Sequence, residues 1–407
     1  MRNFNPQITV EVMIIGGGPV GLLLANLLGS QGIQTIVVEK RRSFQSDRPL
    51  AIGITPPSLE ILKAVGLDLV FSREGVPVRH AEVLESRRSL GRLDFNEIDS
   101  DYRFFLSIPQ TRTAELLERN LSKYPAVRVS KATEFLGLKQ EEHGVIAHLC
   151  DSENRIEFEA RARLLAGCDG QRSQVRKAAK IDFRERIYPQ RFVMADFKDH
   201  SGLGSEARLF FAPEASVESF PLPDGLRRWI ILANDRGEES PTEYLVRRVK
   251  ALTGFDLGIE PASFVSTFGA RRMVVNRYYS GRVVLAGDAA HTMSSIGGQG
   301  MNTGFADAEM LARFAPILLQ NPARVEECFA GYDAVRRRAY EVAARRAEQG
   351  MWLGTLRGRF ASGFRRHLIK DVLFSAPLRR RLAPHFAMLT IPNRTLKHTP
   401  AQHLAVT

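Results

Sequence analysis

The sequence predicts an α/β fold, in which a domain built on a parallel sheet carries an inserted antiparallel sheet and is followed by C-terminal helices. Two glycine-rich turns, one near residue 16 and one within residues 281–304, each follow an apolar strand and precede a helical run. Between these turns, residues 192–265 contain short β-like runs separated by turn signals, which favour an antiparallel sheet. After Met301 the chain has helical patterns to its end.

The first element is a βαβ unit of about 30 residues. Val10–Ile15 is a short apolar strand, and Thr35–Glu39 is the next strand after a helical run. Gly16, Gly18 and Gly21 form the pattern G-x-G-x-x-G between the first strand and the helix. The first glycine permits a tight turn, the second lets the backbone approach a pyrophosphate, and the third lets the helix pack close to the strand. The unit therefore predicts a Rossmann-like dinucleotide-binding domain.

An acidic residue strengthens this prediction. Glu39 ends the second strand, 18 residues after Gly21, where a carboxylate can accept a hydrogen bond from an adenosine ribose hydroxyl. The helix N-terminus supplies amide donors and a positive dipole to the phosphates. The motif alone does not separate FAD from NAD, and a purely structural glycine turn is the alternative. The residues predicted to contact the cofactor here are Gly16, Gly18, Pro19, Val20, Gly21, Glu39 and Lys40.

The middle of the chain alternates between the two kinds of element. Residues 58–65 and 111–124 have helical spacing, and residues 127–166 alternate in polarity as strands do. The turn signal Pro223-Asp224-Gly225 separates two of the later β-like runs. We therefore expect a discontinuous cofactor domain, an inserted β-sheet domain and a basic helical region. Their expected limits are 1–75, 105–185 and 270–320 for the first, 76–104 and 186–269 for the second, and 321–407 for the third.

The second glycine-rich segment, Gly281–Gly304, reads "GRVVLAGDAAHTMSSIGGQGMNTG". Together with "GCDGQRSQVRK" at Gly167–Lys177, it resembles the internal signatures of the single-component (class A) FAD-dependent aromatic hydroxylases, which have the para-hydroxybenzoate hydroxylase fold. The resemblance covers roughly residues 8–320, with the three motifs in the family's order. It implies FAD as the cofactor, with the first turn on the adenosine half and the second turn on the ribityl and isoalloxazine half.

The resemblance also implies further contacts. Asp288 would accept hydrogen bonds from the ribitol, with a plain helix N-cap as its alternative. Arg48 would contact the pyrophosphate and Gln110 the ribityl chain; the alternatives are a solvated loop cation and an N-terminal helix residue. The other implied FAD contacts are Asp169, Gly287, Gly298, Gly300, Met301 and Asn302. The implied catalytic face beside the flavin ring and the substrate consists of Ser295, Gly297 and Gly298.

Three residues of these segments have competing interpretations. Ser295 stands where the family usually has a proline, so the hydrogen bonding to the substrate there is expected to differ. We interpret His291 as a structural residue of the "GDAAH" wording rather than as a proton shuttle. Arg172 would contact a phosphate or pair with Asp169.

The resemblance implies a monooxygenase that uses NADPH or NADH and O2. It would hydroxylate an electron-rich aromatic or heteroaromatic ring, such as a lipophilic quinolone, quinone or polyketide-like compound, through a flavin C4a-hydroperoxide. Epoxidation, Baeyer–Villiger oxygen insertion and a non-catalytic FAD- and ligand-binding flavoprotein are the alternatives. No metal site is predicted. The substrate would bind between the inserted sheet and the flavin, and the aromatic candidates for its walls, which are equally typical of a core, are Phe210, Phe211, Phe220 and Trp229.

The positive charge of the chain is concentrated near its C-terminus. The chain is 44% hydrophobic and 25% charged, as globular proteins are, and has a formal charge of +12. Residues 334–381 hold twelve Arg and one Lys against three acidic residues, with Phe360, Phe364 and Leu368 at helical spacing. A basic amphipathic helix predicts peripheral contact with an anionic membrane; a packed helix with a solvated cationic face is the alternative. We expect a cytoplasmic monomer or homodimer, free or membrane-associated, without a nucleic-acid partner.

Overall fold

The computed structural model describes residues 8–44, 51–85, 88–234, 236–258, 260–294, 298–356 and 358–392. Its strands form three sheets. In chain order the strands are β1 (Ile8–Ile15), β2 (Thr35–Val38), β3 (Gly53–Ile54), β4 (Val76–Val78), β5 (His80–Glu85), β6 (Arg88–Asp94), β7 (Phe105–Ser107), β8 (Val127–Ser130), β9 (Thr133–Glu141), β10 (Gly144–Asp151), β11 (Ile156–Gly167), β12 (Phe183–Lys198), β13 (Ala207–Phe211), β14 (Ser216–Pro221), β15 (Leu226–Leu232), β16 (Phe264–Val275), β17 (Tyr279–Ser280), β18 (Val283–Leu285) and β19 (His291–Thr292).

The helices begin where the sequence supplies suitable first-turn residues. Proline is at the first helical position of α1 and α6, where its fixed φ suits the helix and its missing N–H costs nothing. The helices are α1 (Pro19–Gly29), α2 (Pro56–Lys63), α3 (Asp68–Glu74), α4 (Gln110–Asn120), α5 (Gln174–Ala178), α6 (Pro241–Thr253), α7 (Gln299–Gln320), α8 (Val325–Thr355), α9 (Arg359–His367) and α10 (Ala376–Phe386).

The first sheet positions the glycine-rich turns. Its strand order is β17-β18-β11-β1-β2-β8, and β10 and β9 extend it from β11. The central pairs are parallel, and the register places Ile15 opposite Gly167 and Gly167 opposite Leu285. Because parallel strands end at the same edge of a sheet, the three segments that follow these residues leave the sheet side by side. These segments carry the three motifs singled out in the sequence.

The second sheet has the order β19-β16-β12-β15-β14-β13-β5-β6, and all its pairs except β13 with β5 are antiparallel. Phe210 and Trp229 pack against Phe255, just beyond α6, at ring centroid distances of 5.9 and 5.6 Å. These two aromatic side chains therefore belong to the core between the sheet and α6, which is the alternative considered for them. Since side chains alternate along a strand, Phe211 and Phe220 lie on the opposite face.

The predicted α/β fold class, with parallel and antiparallel sheets and C-terminal helices, is confirmed. In the antiparallel sheet, β12 begins at Phe183 and β16 ends at Val275. In addition, β4 pairs with β7 in the small sheet β3-β7-β4. The division of the chain into domains stays a prediction.

The basic C-terminal region is partly internal. The side chain of Arg336 on α8 is 1% exposed, and Arg365 on α9 is fully buried. Arg365 donates to the backbone oxygens of Ala212 and Leu356, each at 2.9 Å. Backbone carbonyls and a buried acid thus bind two arginines of this region. Charge patterning in the sequence alone would place such arginines on a solvent-exposed face. In the part of the chain that the structure describes, no helix is both long enough and apolar enough to cross a membrane.

Candidate cofactor site

The first turn requires glycine for two different reasons. Gly16 has a φ of +107°, and a Cβ there would lie 2.4 Å from the carbonyl oxygen of Cys168. A Cβ on Gly21 would lie 2.0 Å from the carbonyl oxygen of Gly16. A Cβ on Gly18, in contrast, would have no heavy atom within 4 Å. Gly16 and Gly21 therefore serve the packing of the turn, whereas Gly18 leaves open the side from which a ligand can approach its backbone.

The helix that follows is suited to an anion. Gly18 is the N-cap of α1, and among the described residues no side chain accepts a hydrogen bond from the first-turn amides of this helix. Pro19 occupies the first helical position. The positive end of the helix dipole and the free amides point toward the open side of Gly18, where a pyrophosphate fits.

Glu39 holds the first turn in place. Its carboxylate is 4% exposed and accepts a hydrogen bond from the backbone N–H of Gly17 at 2.8 Å. The backbone N–H and the side-chain Nε of Arg41 also donate to it, at 3.0 and 2.9 Å. The neighbouring Lys40 side chain is exposed. Glu39 thus has a structural role as a clamp, and its contact with a ribose hydroxyl stays a prediction.

Val20 joins the two glycine-rich turns. This half-buried side chain lies on the first turn of α1. A Cβ on Gly304 of α7 would lie 2.5 Å from Val20 Cγ2, and a Cβ on Gly287, which has a φ of +59°, would lie 3.0 Å from the same atom. Glycine at these positions lets α7 and the second turn pack directly on α1, so both turns border one cleft.

A buried carboxylate fixes the second turn. Asp307, on α7, is fully buried and accepts a hydrogen bond from the backbone N–H of Gly287 at 2.9 Å. His291 Nε2 lies 2.7 Å from Asp307 Oδ2, and Arg336 Nε donates to Asp307 Oδ1 at 2.5 Å. Burial alone would raise the pKa of Asp307, but interaction with His291 and Arg336 outweighs burial and lowers it to about 2. Since His291 is 1% exposed and paired with Asp307, the geometry supports its interpretation as a structural residue.

Asn302 ties a third segment to this turn. Its Oδ1 accepts a hydrogen bond from the backbone N–H of Thr55 at 2.9 Å, and its Nδ2 donates to the carbonyls of Gly53 and Gly298 at 3.0 and 2.8 Å. The side chain is 2% exposed. Asn302 therefore positions the backbone at the start of α7, and a direct contact between it and FAD stays a prediction.

The remaining predicted residues of the second turn differ in surroundings. A Cβ on Gly300 would have no heavy atom within 4 Å, so the backbone there is open. Gly298 has a φ of +63° and is the N-cap of α7, which has no side-chain cap. Met301 is half-buried and packs against the core. The side chain of Asp288 is exposed at the cleft, but the surrounding protein raises its pKa by desolvation.

Two further predicted residues make local contacts. Gln110 begins α4, and its Oε1 accepts a hydrogen bond from the backbone N–H of Ala51 at 3.1 Å. Asp169 accepts from Ser173 Oγ at 2.5 Å and from the backbone N–H of Gln174 at 2.7 Å, so it caps α5. Arg172 is exposed and forms no ion pair with Asp169. The predicted residues Arg48, Ser295 and Gly297 lie outside the described residues.

Asp307 and Arg336 are functional residues that the sequence motifs do not reveal. They follow His291 by 16 and 45 residues, and no general spacing rule joins such positions. One local signal was available: Asp307 is an acid among small and apolar residues in "GFADAEML", where an apolar helix face predicts burial and a buried acid requires partners.

The residues present fit FAD. Two uncapped helix N-termini, of α1 and α7, border the same cleft, as an anionic pyrophosphate and an electron-accepting ring require. The side chain of Gln299, at the start of α7, is 3% exposed, and its Oε1 has no hydrogen-bond partner among the described residues. A buried acceptor without a donor is unfavourable, so a donor from a bound ligand would satisfy it.

This arrangement defines the class of FAD-binding proteins, and the chain matches the family model "FAD binding domain" over residues 9–347. The chain belongs to the family of class A FAD-dependent aromatic hydroxylases. The rifampicin monooxygenase of Streptomyces venezuelae is 30% identical over 308 residues, which cover 73% of this chain and 62% of that protein. The 3-(3-hydroxy-phenyl)propionate/3-hydroxycinnamic acid hydroxylase of Comamonas testosteroni is 29% identical over 341 residues, or 83% and 57%. The chain thus spans less than two thirds of the length of either relative.

Solved structures extend the comparison. The p-nitrophenol 4-monooxygenase PnpA from Pseudomonas putida DLL-E4 superimposes with a TM-score of 0.85, covering 94% of this chain and 99% of that chain at 23% identity. The OxyS anhydrotetracycline hydroxylase from Streptomyces rimosus gives a TM-score of 0.76 at 28% identity, covering 94% of this chain and 77% of that chain. At 23% identity, the likeness to PnpA concerns the fold alone.

Replacing Asp307 by Asn should destabilise the protein strongly. Removal of the charge leaves the buried guanidinium of Arg336 without its carboxylate counter-charge, which costs about 3–5 kcal/mol of the free energy of unfolding. Because the pKa of Asp307 is lowered to about 2 in the folded protein, its contribution is complete above the ordinary value of 3.8 and is lost as the pH falls toward 2. Denaturant unfolding of both proteins between pH 7 and pH 2 measures this effect.

The matched control is Glu309→Gln on the same helix. Glu309 forms an exposed ion pair with Arg313 at 2.5 Å, and such pairs contribute about 0–1 kcal/mol. An Asp307→Asn variant as stable as this control at neutral pH would contradict the assigned role of Asp307.

The glycines of the first turn should separate folding from binding. We expect Gly21→Ala to lower the melting temperature, because a Cβ would meet the Gly16 oxygen at 2.0 Å. We expect Gly18→Ala to keep the melting temperature of the FAD-free protein and to weaken FAD binding roughly tenfold, about 1.4 kcal/mol, because the methyl group enters the open approach to the backbone. Differential scanning fluorimetry and FAD titration measure the two effects. Unchanged FAD affinity in Gly18→Ala would refute the predicted pyrophosphate contact.

Proposed function

We propose that the protein is a monooxygenase that uses FAD, NADPH or NADH, and O2 to hydroxylate an electron-rich aromatic or heteroaromatic ring, by the C4a-hydroperoxide route that the family resemblance implies. The single observation that carries the proposal is the packing of two glycine-rich turns around Val20, at one edge of the parallel sheet. Such paired turns can hold both halves of a dinucleotide in one cleft. The family and its named monooxygenases support the same reaction class.

The chain's own residues would bind and orient the cofactor. The uncapped amides of α1 would bind the pyrophosphate, and the open backbone at Gly18 would let it approach. The positive end of α7 would stabilise negative charge on the flavin ring, with Gly298 and Gly300 giving the ring access to the backbone. Bound FAD would supply the redox chemistry.

The second sheet would hold the substrate. The relevant face of this sheet is the one turned away from α6. Near it, the sheet is joined to the predicted cofactor domain by Ser107, whose Oγ donates to the carbonyl of Pro221 at 2.6 Å. An aromatic ring between this face and the flavin would be shielded from water, which oxygen transfer requires. Epoxidation and Baeyer–Villiger insertion would use the same arrangement and differ only in the substrate.

Stopped-flow absorbance of the FAD-loaded protein tests the proposal. The flavin is reduced anaerobically with NADPH or NADH and then mixed with O2, with and without a panel of phenols and hydroxyquinolones. We expect a transient flavin–oxygen adduct band and oxidation of NAD(P)H that at least one ring compound accelerates about tenfold or more. Hydroxylated product, identified by mass spectrometry with labelled O2, completes the test.

Two outcomes would refute the proposal. A protein that cannot be loaded with FAD would remove the cofactor assignment. Bound FAD that is reoxidised without an adduct and without any effect of the ring compounds would favour the alternative, a flavoprotein that binds a ligand without turnover.

We also propose, as a second property, peripheral contact between α9 and an anionic membrane surface. The side chains of Phe360 and Phe364 on this helix are 97% and 54% exposed, and Trp352 of α8, which is 52% exposed, lies 6.4 Å from Phe364 between ring centroids. Exposed aromatic side chains beside arginines are typical of helices that lie on such surfaces. Arg365, however, points into the protein and would not contribute to the contact.

Vesicle co-sedimentation tests this contact. We expect the double variant Phe360→Ser/Phe364→Ser to bind anionic vesicles about tenfold more weakly than the wild type, because both side chains would insert into the interface. Ile187→Ser is the matched control, because Ile187 is 68% exposed on the second sheet. Equal binding of the wild type and the double variant to anionic vesicles would contradict the contact.

A further inference from the structure

One carboxylate stands in an otherwise apolar row of the second sheet. Glu218 lies at the centre of β14, with Leu209 of β13 opposite it on one side and Ile230 of β15 on the other. The row continues to Val83 of β5 and to Met194 of β12. Four apolar side chains thus share a face with a single acid. A charged group in such a row is unfavourable unless it has a partner.

The alternation of side chains fixes the face on which Glu218 lies. Its neighbour Val217 pairs with Phe210, which packs against Phe255 on the α6 side of the sheet. Successive residues of a strand point to opposite faces. Glu218 therefore lies on the face away from α6, where the proposed function places the substrate.

Segments that border the face with Glu218 also contact the second glycine turn. Two residues before Glu218, Ser216 lies beside α8, since a Cβ on Gly354 would be 3.3 Å from Ser216 Oγ. Beyond Glu218, β14 is held to β7 by the hydrogen bond from Ser107 to Pro221. Phe105, also on β7, lies close to the second turn, because a Cβ on Gly298 would be 3.6 Å from its ring.

Glu218 is accordingly placed between two described segments that meet the second turn. On the α8 side, Ser294 Oγ lies 3.7 Å from Met351 Sδ. Ser294, which comes just before the residues expected beside the flavin ring, therefore contacts α8. On the β7 side, Gly298 lies beside Phe105. A ring bound over the second turn would meet the sheet between these two contacts, where Glu218 stands.

No described residue provides a partner for Glu218. Its side chain is half-buried, and no hydrogen bond or ion pair joins it to another described side chain or amide. The charged groups in the two adjacent rows of this face have partners of their own. Arg228 and Asp196 pair with each other at 2.6 and 2.7 Å on one side, and Glu85 pairs with Arg366 on the other. Desolvation raises the pKa of Glu218 to about 7. A carboxylate kept without a partner in an apolar wall is typical of a group whose partner is a ligand.

We propose, on the basis of the function proposed above, that Glu218 accepts a hydrogen bond from a ring hydroxyl or ring N–H of the substrate and takes up its proton. The O–H or N–H bond of the substrate breaks, the proton forms an O–H bond with a Glu218 Oε, and the electron pair stays on the substrate heteroatom. The ring becomes more electron-rich and more reactive toward an electrophilic oxygen atom. The substrates are therefore hydroxyarenes or N–H heteroaromatic compounds.

Binding of matched ring compounds to the FAD-loaded full chain tests this inference. The probes are phenol with anisole, and 2-naphthol with 2-methoxynaphthalene, because each methyl ether keeps the ring and the oxygen but has a methyl group in place of the hydroxyl donor. Dissociation constants are measured from the perturbation of the flavin absorbance. We expect the wild type to bind a hydroxyarene at least tenfold more tightly than its ether. Glu218→Gln, which is nearly isosteric, should lose this preference by weakening hydroxyarene binding, with ether binding and FAD content unchanged.

Two further variants keep the result interpretable. Glu185→Gln removes an exposed acid of the same sheet, paired with Arg271 at 3.1 Å, and should keep the preference. Glu218→Leu should also lose the preference and remain at least as stable as the wild type, because an unpartnered acid contributes nothing to folding. Strong destabilisation in Glu218→Leu would identify a structural acid and overturn the inference.

The outcomes also separate this inference from the proposed function. A wild type that binds no hydroxyarene of the panel more tightly than its ether overturns the role of Glu218, as does a Glu218→Gln variant that keeps the preference. If the preference depends on Glu218 but no ring compound accelerates NAD(P)H oxidation, the binding role stands and the hydroxylase function fails. If turnover occurs equally in the wild type and in Glu218→Gln, the function stands and the inference fails.

Discussion

The buried carboxylate of Asp307 is the interaction on which the cofactor cleft depends. Removing an ionised carboxylate from water costs several kcal/mol, so it is retained only where partners compensate for the loss. Its partners come from two parts of the chain: the Gly287 amide and His291 within the second glycine-rich segment, and Arg336 of α8. Displacement of any of these partners would remove part of the compensation for the buried charge of Asp307. The second turn and the C-terminal helix α8 are therefore fixed together, and α8 is integral to the cofactor site.

This coupling carries over to the second sheet. Since α8 is anchored at Arg336, its later residues Met351 and Gly354 reach Ser294 and Ser216. One helix thus sets the distance between the turn that would hold the flavin and the strand that carries Glu218. On the other side of the cleft, the hydrogen bond from Ser107 to Pro221 joins β7 to β14, the strand that carries Glu218. Together with the pairing of β19 and β16, these two contacts join the second sheet to the segments around the cofactor cleft.

The sequence was sufficient where the constraint is local. Gly16 and Gly21 are read directly from the motif, because a Cβ at either position would collide with nearby backbone. The fold class follows from strand and helix periodicity. Asp307 and Glu218 were not found, because their roles depend on strand pairing and helix packing across long stretches of chain. Likewise, the sequence could not show that Arg365 points inward toward the Ala212 carbonyl, since charge patterning favours exposure.

The two sides of the cleft differ in what recognises the ligand. On the cofactor side the contacts expected from the geometry are mostly backbone amides, made accessible by glycines, and many sequences can supply an amide. On the sheet side the proposed contacts would come from side chains, such as Glu218 among Leu209, Ile230 and Met194, and each substitution there would alter the wall directly. Consistent with this, the fold is retained in a chain at 23% identity, with a TM-score of 0.85. Specificity should accordingly be sought in the rows of β13, β14 and β15, where one exchanged residue alters the hydrogen bonding of the substrate without affecting the glycine turns.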